Sequence, residues 1–170
     1  MMTAMITSQL RTLLRDRPLE QAFAELNDHL CATESGLYAC IAAVEMQPDR
    51  ALVINAGLPP ICGILAGRNT RMIDCGGSPP GLLEGARYDV QEVRLERGER
   101  LFMVSDGITE PFGNADEVIP VLRRLELLAG GAAMPQPYRL ASSISALFQG
   151  QELPDDATVV VVERTGTVNR

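Results

Sequence analysis

Three aspartates stand at the ends of two apolar runs. Asp106 follows Leu101-Phe102-Met103-Val104-Ser105 and precedes Gly107, whereas Asp155 and Asp156 precede Ala157-Thr158 and the β-branched run Val159-Val160-Val161-Val162. The first run, bounded by Gly98 and Gly107, is too short for a helix and predicts a strand buried on both faces. A carboxylate at the end of such a strand needs water, a hydrogen bond or a cation to compensate it. Two readings of Asp106 follow: an Asp-Gly turn whose carboxylate bonds the local backbone, or a metal ligand. If the two runs are antiparallel neighbours, Asp106 leaves one strand where Asp155 leads into the other, and the two carboxylates can share a cation. Hard divalent ions such as Mg²⁺ and Mn²⁺ take carboxylate and water oxygens, and two of them about 4 Å apart clamp a transferring phosphoryl group while acidifying a bound water. That chemistry needs no Ser, Cys or His attacker.

The other reactive side chains are poorly arranged for catalysis. His29 is the single histidine, and it reads as a helix-surface residue near a C-terminus, where partial positive charge suits the dipole. Cys31, Cys40, Cys62 and Cys75 lack the Cys-x-x-Cys spacing of a zinc site, and nothing resembles a secretory signal, so reduced and largely buried thiols in the cytoplasm are expected. With 15 Lys and Arg against 22 Asp and Glu, the net charge of −7 repels nucleic acid and anionic membrane. Aromatic residues are 4% with no Trp, which removes the stacking platform that single-stranded nucleic acid requires. Residues 1–14 are amphipathic, interrupted by Ser8, Gln9 and Arg11, and are neither signal peptide nor membrane span.

At 170 residues the chain is one domain by size. Met2, Ile6, Leu10, Leu13 and Leu14 recur at helical spacing, and so do Leu19, Phe23, Leu26 and Leu30 behind Pro18 at N1, predicting an antiparallel helix pair over a sheet. Short segments separated by turn residues then predict strands: 38–46 and 51–56 as one hairpin, 61–65 and 70–73 as another. Residues 76–81, Gly-Gly-Ser-Pro-Pro-Gly, predict a loop, either a connection or a binding loop. Residues 88–95 alternate but slip phase, which predicts a bulge or break. Arg97-Gly98 is expected to turn the chain into the strand before Asp106 as a hairpin. Val118, Val121, Leu122, Leu125 and Leu128 predict a helix capped by Asn114 or Asp116 with Pro120 in its first turn, and Leu140, Ile144, Leu147 and Phe148 another that opens at Pro137.

An ordered set of motifs adds to these readings: Leu26-Asn27-Asp28-His29-Leu30, Asn55-Ala56-Gly57-Leu58-Pro59-Pro60, Glu96-Arg97-Gly98-Glu99, Val104-Ser105-Asp106-Gly107-Ile108-Thr109-Glu110 and Asp155-Asp156-Ala157-Thr158. In this order and spacing the chain resembles the sporulation-E/RsbU-like bacterial branch of the PPM-type, metal-dependent protein serine/threonine phosphatases. The resemblance implies an α+β fold, an α-β-β-α sandwich of two antiparallel sheets flanked by helix pairs, with residues 1–35 over one sheet and 115–149 over the other. It implies that Asp106 and Asp155 are metal ligands for Mn²⁺ or Mg²⁺, with Asp156 and Gly107 in accessory positions.

Two departures accompany the resemblance. Leu58 stands where the family has a histidine, and the family's upstream Gly-Asp and Asp-x-Ser-Gly-His-Gly motifs have no counterpart. Residues 1–170 therefore correspond to the C-terminal two-thirds of such a domain, a single partial domain expected to bind metal weakly and to leave a sheet edge or apolar face uncovered. The activity implied is hydrolysis of phosphoserine or phosphothreonine on a regulatory protein, such as an anti-sigma-factor antagonist, by a water activated between two metals. The alternative is a catalytically degenerate, partner-binding module of a response regulator or adaptor. A second copy of the chain is a further expected partner.

Overall fold

The structure is a computed structural model; it describes residues 2–33, 36–65, 69–73, 75–112, 120–121, 123–124, 137–148 and 155–166. In chain order the elements are α1 (Met2–Leu13), α2 (Leu19–Cys31), β1 (Ile41–Met46), β2 (Arg50–Ala56), β3 (Ile61–Leu65), β4 (Asn69–Ile73), β5 (Gly76–Gly77), β6 (Gln91–Arg94), β7 (Arg100–Val104), α3 (Asp106–Thr109), α4 (Pro137–Leu147) and β8 (Val159–Glu163). They gather into two compact units, Met1–Leu58 with Cys75–Val93, and Pro59–Asp74 with Arg94–Arg170.

In the first unit the helix pair covers a sheet ordered β1-β2-β5, with β6 also paired to β2. The stripes read from the sequence are the buried ones. Ile6 and Leu13 of α1 meet Ala22, Leu26 and Leu30 of α2, with Ala39 and Ile41 packed beneath. Leu19 and Phe23 pack on Ile54, Ala56 and Tyr88, and the rings of Phe23 and Tyr88 meet edge-on with centroids 5.6 Å apart. Phe23 and Leu26 are fully buried, each worth about 1.5–3 kcal/mol of transfer free energy. Pro18 is the N-cap rather than the first helical residue, held extended at φ −66° and ψ 159°.

The second unit is built on a sheet ordered β4-β3-β7-β8. β7 lies between two antiparallel partners, with Phe102 opposite Cys62 on β3 and Val161 on β8, as a doubly buried apolar run requires. Cys62, Phe102, Val104, Ile108, Val121, Leu147 and Phe148 form its core, and Leu140 and Ile144 of α4 pack against it. At the opposite end of β7 from Asp106, Arg100 is 4% exposed and donates to Glu163 on β8 at 2.6 Å.

The α+β class with two sheets is as expected, and three details differ. Gly76–Gly77 is not only loop: it runs parallel to β2, with Asn55 opposite Gly76 and Ala56 opposite Gly77, so pairing is not antiparallel throughout. A Cβ on Gly77 would lie 3.3 Å from the Tyr88 ring, and glycine permits that approach. Arg97-Gly98 does not make a hairpin, because β6 pairs with β2 whereas β7 pairs with β3 and β8; the turn at Gly98 (φ +83°) carries the chain from one sheet to the other. The first strand begins at Ile41 rather than residue 38, since the Ala39 N–H bonds the Pro80 carbonyl (3.1 Å) instead of extending the ladder. The phase slip in 88–95 is a break, with only Gln91–Arg94 forming strand.

Pro120, Val121, Arg123 and Arg124 are helical; Asn114, Asp116, Val118, Leu122, Leu125 and Leu128 lie outside the described residues. All four cysteines are thiols, Cys62 and Cys75 buried but Cys31 half-buried and Cys40 exposed. His29 is exposed near the end of α2, its Nε2 3.9 Å from Glu25.

Candidate metal site at the ends of β7 and β8

The register of β7 against β8 decides where the aspartates fall. Arg100 pairs with Glu163 and Val104 with Val159, so Asp106 leaves the sheet at the end where Asp155 and Asp156 lead in. Ser105 continues the pairing by one step: its N–H donates to the Thr158 carbonyl at 3.0 Å, and the Thr158 N–H donates to its Oγ at 2.9 Å. The same hydroxyl donates to the Asp156 carbonyl at 3.1 Å. One serine thus ties the acidic loop to the end of β7.

After Ser105, in extended conformation, the chain turns into α3 with Asp106 in its first turn, where a carboxylate suits the exposed N–H groups. The turn reading of Asp106 is correct as far as it goes, because Oδ1 accepts the Gly107 N–H at 3.0 Å. Asp155 is arranged alike, its Oδ1 accepting the Asp156 N–H at 2.7 Å. Each keeps a second carboxylate oxygen, and Asp106, Asp155 and Asp156 are all exposed.

Gly107 explains how closely the two loops approach. It is buried, and a Cβ there would lie 2.5 Å from the Asp156 carbonyl oxygen and 3.1 Å from that of Asp155. Only a residue without a side chain lets the main chains meet this way. The structure therefore brings the backbones bearing Asp106 and Asp155 together, with Asp156 beside them. As donors the carboxylates fit Mn²⁺ or Mg²⁺ in kind, being hard oxygen ligands, but two of them supply a minority of the roughly six ligands such an ion takes. Among the described residues no group of three or more His, Cys, Asp or Glu side chains converges as a metal cage.

The remaining motifs are structural in their own surroundings. The Asn55 amide closes its loop by donating to the Leu58 carbonyl (3.0 Å) and accepting the Leu58 N–H (3.1 Å), while Gly57 takes φ +89°. Glu96 to Glu99 form a turn in which the Glu99 N–H bonds the Glu96 carbonyl at 3.0 Å. Two supporting residues escaped sequence reasoning, although both lie within the quoted motifs. Ser105 is one; its signal was a small hydroxyl between a buried strand and Asp-Gly. Asn27 is the other, a fully buried amide signalled by a polar residue next to Leu26 in an apolar stripe.

The stage II sporulation protein E (SpoIIE) family matches residues 1–165 of the chain. No curated protein matches it. Among solved structures, the RsbU and RsbW domains of Rv1364c from Mycobacterium tuberculosis are similar with a TM-score of 0.70 at 22% identity, over 96% of this chain and 49% of that one. The PP2C phosphatase domain of SpoIIE from Bacillus subtilis, with a fragment of its regulatory domain, gives a TM-score of 0.73 at 22% identity, over 93% and 49%. The catalytic domain of the serine threonine protein phosphatase PstP, in complex with two manganese ions, gives 0.66 at 18% identity, over 93% and 78%. The chain spans about half the length of the first two.

Proposed function

The chain belongs to the SpoIIE family, and from that premise we propose that it forms part of a PPM-type phosphatase domain that removes phosphate from phosphoserine or phosphothreonine on a cytoplasmic regulatory protein, such as an anti-sigma-factor antagonist. The observation that carries this reading is the close approach of the main chains at Gly107 and at Asp155 and Asp156, locked by Ser105. Asp106 and Asp155 would hold Mn²⁺ or Mg²⁺ through their second oxygens. When bound, such an ion supplies charge that acidifies a coordinated water and neutralises the transferring phosphoryl group. The chain's own residues fix the two carboxylates on one rim: Ser105 sets the loop spacing, Gly107 permits the approach, and the Gly107 and Asp156 N–H groups hold one oxygen of each acid. Asp156 acts as an accessory acid.

The second reading, a degenerate partner-binding domain, is favoured by one feature. Leu58 replaces the family histidine, and its loop is closed on itself by Asn55. The experiment that separates them extends the chain upstream with the family's two metal motifs and assays a phosphoserine protein. Hydrolysis should require Mn²⁺ or Mg²⁺ and should fall by roughly 10–100-fold or more in Asp106→Asn, the scale on which loss of metal-site support acts. Asp156→Asn should fall less than Asp155→Asn. An inert extended protein that still binds a regulatory partner, equally well with Asp106→Asn, would replace the enzyme reading with the adaptor one. A gain in rate in Leu58→His would mark a weakened enzyme.

A further inference from the structure

We draw no further inference here: the strongest candidate, the surface patch of the exposed Leu82 and Leu83 on the loop that Asn27 holds against α2, carries none because nothing in the structure shows what covers it.

Discussion

Asn27 in the first unit and the Ser105 to Asp156 rim in the second are both polar clusters set against apolar cores, and they are arranged in opposite ways. The Asn27 amide is fully buried. Its Nδ2 donates to the Leu83 carbonyl at 3.0 Å, and its Oδ1 accepts the Gly81 N–H at 2.9 Å and the Tyr88 hydroxyl at 3.4 Å. It pins residues 81–83 to α2, and Gly81 is held so close that a Cβ would overlap the Leu37 carbonyl. At the rim only the serine is committed in this way, while the carboxylates stay exposed with one oxygen each bonded to an adjacent N–H. Polar atoms with every valence satisfied by protein build structure; those with lone pairs facing water remain available to a cation.

Removing the first kind should therefore cost stability, and removing the second kind should cost little. Asn27→Ala removes the partner of the half-buried Gly81 N–H and of the carbonyl of the exposed Leu83 and the amide's own buried contacts, and should lower unfolding free energy by about 2 kcal/mol in urea titration, within the range of about 1–3 kcal/mol for a broken polar contact of this kind. A loss below about 1 kcal/mol would mean that water replaces the amide. Next in size is Gly107→Ala at the rim, where the new Cβ meets backbone and not a flexible side chain; about 1–3 kcal/mol is expected from overpacking, with metal binding disturbed as the loops are driven apart. Ser105→Ala should cost about 1 kcal/mol, the net value of a hydrogen bond or two at a partly exposed site.

Tyr88 offers a pH test of the buried cluster. Burial, then the neighbouring Cys31 and Asp28, push its phenol up to about 12 from 10.0. The folded chain holds that proton more tightly than the unfolded chain, so this contribution is complete below pH 10 and is lost as pH rises towards 12. Denaturation midpoints should fall over that window, and Tyr88→Phe should flatten the fall; an unchanged slope would place the alkaline sensitivity elsewhere. The smallest effect on stability is expected for Asp155→Asn, within about 0.5 kcal/mol, as for surface sites in general. The comparison would break if Asp155→Asn destabilised the chain as much as Asn27→Ala.

Much of this was legible in the residues. The α1 and α2 stripes, the hairpin of β1 and β2, the doubly buried β7 and the β-branched β8 follow from local periodicity, because side-chain spacing alone determines which face can be buried. The Asp-Gly and Asp-Asp positions at strand ends were legible for the same reason. What the sequence could not decide was pairing. Gly76–Gly77 joining β2 in parallel, β6 and β7 belonging to different sheets, and Asn27 reaching residues 81–88 all depend on contacts between segments distant along the chain. Glycine carries no side-chain pattern to announce a strand, and one amide in a helix does not reveal which carbonyl it will meet. The two acids are likewise separated by about fifty residues, and only the register Val104 to Val159 decides that they stand at the same rim, since a shift of pairing would carry one of them away along the sheet.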